Sequence, residues 1–164
     1  MPASDWSVRR ATLADAEGIA RVHLRGWQEA YAHLVPAETL AGLSLGARTE
    51  RWRTGPALVT GDPECWVGVR GDAVVGFALA STRPGEDRPR DTELEALYIL
   101  ASEYGTGVGQ ALVDAALGAR PAFLRVFQDN PRALAFYRRN GFEVESASVY
   151  AFLGVEAPDY LMVR

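Results

Sequence analysis

The sequence predicts a mixed α/β fold of the α+β kind: one mainly antiparallel sheet of six to seven strands, flanked by helices on both faces. Three observations carry that expectation. Cys65–Arg70 and Ala73–Ser81 are rich in aliphatic and aromatic residues and are separated only by Gly71-Asp72, a hairpin pattern. Residues 92–127 read as strand, helix, strand, with a further helix after them, which sets helices against a sheet of mixed strand direction. Residues 13–31 repeat apolar side chains at helical spacing. A length of 164 residues and an ordinary globular composition fit one domain over residues 1–164.

The elements follow in order. Trp6–Ala11 reads as a short strand. Thr12 caps a helix whose start holds Asp15 and Glu17, acids suited to the positive end of the helix dipole. Leu13, Ala16, Ile19, Ala20, His23, Trp27 and Tyr31 carry its apolar stripe for about five turns. Pro36 opens a second helix through Leu40 and Leu43. Residues 44–64 are ambiguous, with a helix expected around Arg48–Trp52. After the hairpin, Thr82–Asp91 is a polar loop and Thr92–Leu100 is the fourth strand. A glycine-rich turn at Gly105–Gly109 leads into a helix from Val108 to about Arg120. Val108, Ala111, Leu112 and Ala115 share one of its faces, and Pro121 is expected to stop it. Ala122–Phe127 is the fifth strand. Asn130-Pro131 caps and opens the next helix, and Asn140-Gly141 closes it. Phe142–Phe152 and Tyr160–Val163 read as two closing strands.

The formal charge of -4 argues against a nucleic-acid partner, which favours a basic surface. It leaves room for a local basic patch. The single cysteine, Cys65, allows no internal disulfide and suits a reducing compartment. The opening MPASDWSVRR lacks the apolar run of a signal peptide, and no stretch approaches the ~20 apolar residues of a membrane span. A cytoplasmic protein without a membrane partner is expected. Two histidines and one cysteine at these spacings make no metal site.

The glycine-rich turn carries the first chemical signal. Glycines let backbone approach a ligand, and the first amides of a helix lack internal partners, so such a turn can bind an anion. A tight turn that only packs helix on strand is the other reading. A P-loop requires a lysine that the turn lacks. A Gly-x-Gly-x-x-Gly fingerprint fails in both registers, because the sixth position is Gln110 or Leu112.

Tyr104-Gly105-Thr106-Gly107-Val108-Gly109 resembles the pyrophosphate loop of the GNAT N-acetyltransferase superfamily, Arg/Gln-x-x-Gly-x-Gly/Ala, after a strand and before a helix. Tyr104 departs from it, standing where arginine or glutamine is usual. Farther on, Asn130, Ala133, Tyr137, Gly141 and Phe142 fit the superfamily's Asn-x-x-Ala-x-x-x-Tyr-x-x-x-Gly-Phe pattern. Asn130 and Tyr137 share one helical face. Val8 to Thr12 and Asp15-Ala16 resemble the opening strand and helix of many members, and Trp27 to Tyr31 with Pro36 resemble a subgroup. The resemblance spans nearly the whole chain apart from residues 44–64 and 143–164.

The resemblance implies a GNAT-like fold with splayed fourth and fifth strands and acetyl-CoA as co-substrate. The pantetheine arm would pair with the backbone of Leu97, Tyr98 and Ile99. The pyrophosphate would rest on Gly105, Thr106, Gly107, Val108, Gly109 and Gln110, with Tyr104 bordering the cofactor but lacking the usual side-chain partner. Asn130 and Ala133 would lie along the cofactor, with Tyr137 near its sulfur. The acceptor would be a primary amine of a small molecule or peptide, with Trp27 and Tyr31 beside it.

An amine with pKa ~8–10 must lose a proton before attack at neutral pH. Glu93 and Glu95 are the candidate bases, two residues apart and thus on one face of a regular strand. Solvent-facing or salt-bridged strand acids are the other reading of both. Tyr137 is the candidate acid for the leaving thiolate, against a structural tyrosine. An oxyanion-stabilising amide is expected near Ile99. Cys65 reads as an inert small hydrophobe and His23 as a packed or pocket-lining side chain. A non-catalytic acyl-CoA-binding or regulatory module on the same fold is the competing class. A homodimer is the common default among soluble oligomers.

Overall fold

The computed structural model describes residues 5–164; residues 1–4, part of the stretch read for a signal peptide, lie outside the described residues. Its strands are β1 (Trp6–Arg10), β2 (Glu64–Arg70), β3 (Ala73–Thr82), β4 (Thr92–Ile99), β5 (Ala122–Phe127), β6 (Glu143–Phe152) and β7 (Val155–Val163). Its helices are α1 (Ala16–Ala30), α2 (Ala37–Ala41), α3 (Leu45–Thr54), α4 (Pro56–Val59), α5 (Val108–Leu117) and α6 (Pro131–Arg139). The seven strands form one sheet in the order β1-β2-β3-β4-β5-β7-β6. All neighbours are antiparallel except β4 and β5.

Each face of the sheet is covered. On one, Val108, Leu112 and Ala116 of α5 pack against Ala78, Leu94 and Leu124. On the other, Ile19 and Val22 of α1 pack against Cys65, Val67 and Phe77. Residues 44–64, ambiguous by pattern, fold as α3 and α4, with Trp52, Ala57 and Leu58 packed on this second core. Before α1, the Asp15 carboxylate accepts from the Thr12 amide at 2.8 Å and holds Arg9 through two bonds of 2.8 and 2.9 Å. Thr12 therefore starts a short 3-10 turn over Leu13–Asp15 and not α1 itself, and Asp15 stands at the N-cap of α1. Burial raises the Asp15 carboxyl, but Arg9 and the Thr12 amide and hydroxyl outweigh it and leave it below the ordinary range.

Two boundaries differ from expectation. α5 ends at Leu117 and not near Arg120, because Gly118 takes a left-handed backbone (φ 56°) that breaks the helix three residues before Pro121. β7 begins at Val155, five residues before the expected start at Tyr160. Leu153 and Gly154, with φ 47° and 78°, make a two-residue turn that joins it to β6 as a long hairpin.

The site is positioned by two irregularities. β4 and β5 pair only at Thr92–Ala122 and Glu93–Phe123, then separate. β4 also carries a bulge: Ala80 faces Leu94 and Leu79 faces Ala96, which leaves Glu95 as the extra residue. Beyond the bulge, Leu97 and Ile99 join the α5-side core while Ala96 and Tyr98 join the α1-side core.

Candidate active site

The loop after β4 is anchored from beneath. Glu103 is buried and takes two bonds from the Arg70 guanidinium, at 3.0 and 2.7 Å. Those bonds hold its carboxyl below the ordinary range. Gly105 and Gly107 then adopt φ values of 79° and 93°, which a residue with a Cβ resists. Thr106 is tied inward: its amide and its hydroxyl both donate to the Glu103 carbonyl, at 3.2 and 2.8 Å. The expectation that amides throughout 105–110 stand free is therefore corrected at Thr106. Among the described residues the amides of Gly105 and Gly107 have no partner, and the Val108 amide has only a long 3.4 Å contact to Thr106 Oγ1. The Val108 side chain is core, so only its backbone faces the loop. A Cβ on Gly109 would lie 2.6 Å from Ile99 Cδ1, so glycine is what lets the head of α5 sit against β4.

Next to this loop the parting strands open a cleft of about 1330 Å³. Leu97, Tyr98 and Ile99 form one wall, with the edge of β4 unpaired on the β5 side beyond Glu93. α6 supplies the other wall. Asn130 Oδ1 accepts from the Ala133 amide at 3.2 Å, as an N-cap should, which leaves its amide nitrogen available. Tyr137 lines the cleft, its ring edge-on to Phe136 and Phe142. Burial pushes its hydroxyl pKa upward, reinforced by nearby Tyr98. It is protonated at neutral pH.

Both strand carboxylates line the cleft, brought together across the bulge and not by regular strand spacing. Glu93 is half-buried and lies 3.6 Å from Arg88. Burial, and then Glu95, raise its carboxyl above the ordinary range; Arg88, Arg125 and Arg83 oppose this without winning. Glu95 is exposed. Farther in, the buried Asp159 accepts from the Ser148 hydroxyl and lies 3.7 Å from Arg125.

The α1 side is aromatic. Trp27 Nε1 donates to the Tyr98 hydroxyl at 2.9 Å, and the Tyr31 hydroxyl lies 3.4 Å from the same oxygen. A Cβ on Gly26 would lie 2.6 Å from the Tyr98 ring, which explains how closely α1 approaches β4 here. His23 packs edge-on to Trp27 at 4.3 Å and contributes to the cleft wall. Burial pushes its pKa down to about 3, reinforced by Arg48 and Arg51, so it is a neutral imidazole.

Two features escaped the sequence pattern. Arg132 stacks on Tyr104, its guanidinium carbon 3.6 Å from the ring centroid, and brings a cation from α6 to the glycine loop. Arg48 stacks on Trp27 at 4.5 Å and borders a second cavity. An arginine two residues after the cap of α6 was visible; its partner across the cleft was not. Cys65 is buried and its thiol is pushed up to about 12, mainly by burial. No cluster of three or more metal-ligating side chains occurs among the described residues. No helix there is long and apolar enough to cross a membrane.

Residues 27–142 match the model of the acetyltransferase (GNAT) family. The chain belongs to that GNAT family. Among its GNAT relatives, an uncharacterised N-acetyltransferase of Mycobacterium bovis is 36% identical over 97 residues, covering 56% of this chain and 60% of that protein. Escherichia coli YjaB, a peptidyl-lysine N-acetyltransferase, is 35% identical over 95 residues, covering 57% of this chain and 58% of YjaB. The matched region thus spans about 60% of the length of these curated relatives. The solution structure of apo YjaB superposes with a TM-score of 0.69 at 26% identity, covering 96% of each chain. The PaiA N-acetyltransferase of Thermoplasma acidophilum, solved with coenzyme A, gives a TM-score of 0.72 at 18% identity over 97% of this chain and 98% of that one. At that identity the likeness is one of fold.

Proposed function

We propose that this GNAT protein is an N-acetyltransferase that moves the acetyl group of acetyl-CoA to a primary amine by direct attack within a ternary complex. One observation carries the reading. Unpartnered amides, those of Gly105 and Gly107 among them, stand at the loop leading into α5, at the end of a β4 edge that has no strand partner beyond Glu93. An extended thioester-bearing chain fits that edge as an added strand would, with its diphosphate on the amides. The backbone of Leu97, Tyr98 and Ile99 would take the pantetheine, and Asn130 and Ala133 would border it from α6.

The chemistry then follows from the side chains. Glu93 accepts the proton of the incoming ammonium, directly or through water, and its raised pKa makes it a better base than an ordinary carboxylate. Glu95 stands in support. The amine nitrogen forms its bond to the acetyl carbon while the carbon–sulfur bond breaks. The Tyr137 hydroxyl donates a hydrogen bond to the departing sulfur, whose ordinary pKa of ~8.5 lets it leave as the thiolate. An amide near Ile99 faces the charge that develops on the acetyl oxygen. Trp27 and Tyr31 hold the acceptor side. The single buried cysteine suits a cytoplasmic setting.

The test pairs thiol release from acetyl-CoA with mass detection of acetylated products, across amino acids, polyamines and lysine peptides. Acetylation of any acceptor, reduced in the Tyr137→Phe variant with acetyl-CoA affinity retained, is expected. Tight acetyl-CoA binding with no acetylated product from any amine would favour the non-catalytic module.

A further inference from the structure

Behind the cleft lies a second cavity of about 370 Å³, within the range of small-molecule sites. His23, Leu79 and Glu95 line both spaces, so the two meet at the bulge of β4. Its remaining walls come from α3, α4 and the start of the loop after β3. Those walls include three arginines, the half-buried Arg48 and the exposed Arg51 and Arg83, around a cavity open to solvent whose one acidic residue is the exposed Glu95.

Their convergence is what makes them informative. Arg9 pairs with Asp15 and Arg70 with Glu103, whereas these three, like several other arginines among the described residues, have no acid partner and here share one cavity. Among the described residues none of Arg48, Arg51 and Arg83 stands within ion-pair distance of a carboxylate, and neither does Glu95 of a cation. Arg48 is half-buried and fixed over the Trp27 ring at 4.5 Å, so its charge is held in place. His23 Nδ1 is buried beside this cavity without a hydrogen-bond partner. Like charges gathered around a cavity repel one another, and an anion seated among them relieves that cost.

We infer that this second cavity extends the acceptor site beyond Trp27 and Tyr31 and selects a free amino acid, with the carboxylate among Arg48, Arg51 and Arg83 and the amine at the shared Glu95 wall, turned into the cleft toward Glu93. The inference rests on the acetyltransferase reading for what happens to the amine, and on the cavity alone for what is bound. Charge complementarity favours a zwitterion: one carboxylate faces the ammonium, and the guanidiniums face the carboxylate through paired N–H donors. The volume suits an amino acid. A polyamine would bring cations against three arginines.

Reaction products test the binding site without requiring turnover. The N-acetyl derivatives of glycine, methionine, phenylalanine and glutamate are titrated calorimetrically into the intact chain, beside the corresponding N-acetyl amides and N-acetyl-O-phosphoethanolamine. Expected is at least about a ten-fold preference for one or more carboxylates over the matched amides. That preference is lost in Arg51→Gln, whose side chain is exposed, and in Arg48→Gln, with acetyl-CoA affinity unchanged in both. Equal binding of acids and amides, binding of none of the probes, or tighter binding of the phosphate compound would overturn the inference. Carboxylate preference in a protein that ignores acetyl-CoA would leave the anion site standing and remove the acetyltransferase reading instead.

Discussion

Arg132 at the head of α6 lies flat over Tyr104 at the end of the β4–α5 connection, 3.6 Å from guanidinium carbon to ring centroid. Tyr104 occupies the position where related loops carry a cationic or amide side chain, so the stack returns a positive charge to the loop from across the cleft. Removing it in Arg132→Ala should weaken acetyl-CoA binding by about five- to ten-fold, more at low ionic strength than at high. Tyr104→Arg should keep wild-type affinity. Calorimetry at two salt concentrations reads both; an unchanged affinity in Arg132→Ala would remove the role.

Glu93 should leave opposite marks on rate and stability. Burial, then Glu95, raise its pKa, so the acid limb of the kcat profile should lie above the ordinary carboxylate range. A carboxyl raised by folding favours the folded state while protonated, and that contribution is lost as pH rises through the folded value. Glu93→Gln should therefore melt no lower than wild type at pH ~8 while kcat falls about 100-fold or more. Loss of melting temperature in step with activity would mark Glu93 as structural.

Gly26 sets the spacing between α1 and β4. A methyl group there would meet Tyr98 Cδ1 at 2.6 Å, and Tyr98 cannot turn aside freely because Trp27 and Tyr31 hold its hydroxyl. Gly26→Ala should cost about 1–3 kcal/mol by overpacking. Denaturant midpoints measure it. Acetyl-CoA affinity, which depends on the backbone edge of β4 and not on the Tyr98 ring, should change less than acceptor affinity.

The glycine loop should be acid-sensitive through Glu103. Arg70 lowers its pKa, so the stabilisation is present above the unfolded carboxyl value and is lost as pH falls through the folded one. Melting curves of wild type and Glu103→Gln should differ at neutral pH and converge below pH ~4. Parallel curves down to that pH would contradict the anchoring role.

Local signals carried most of the fold. The hairpin at Gly71-Asp72, the Asn130 cap and the glycine turn are each set by neighbours within a few residues. Elements fixed by distant packing were less legible. α3 shows little amphipathic patterning, and the start of β7, with Pro158 and two acids, reads as a polar loop until β6 pairs with it. The site divided the same way. Its loop and its helix cap are contiguous motifs, whereas the bulge at Glu95 depends on register with β3. The Arg132–Tyr104 stack spans the cleft, and the cavity of Arg48, Arg51 and Arg83 joins a helix to a loop more than thirty residues away.

The most direct measurement follows the backbone amides of Gly105 and Gly107 by NMR during titration of isotope-labelled protein with coenzyme A. Large downfield shifts of both resonances that saturate together, with the Thr106 amide moving less because Glu103 already holds it, are expected. Binding that leaves the two glycine amides unmoved, or no binding at all, would contradict the placement of the diphosphate and the acyl-transfer chemistry built on it.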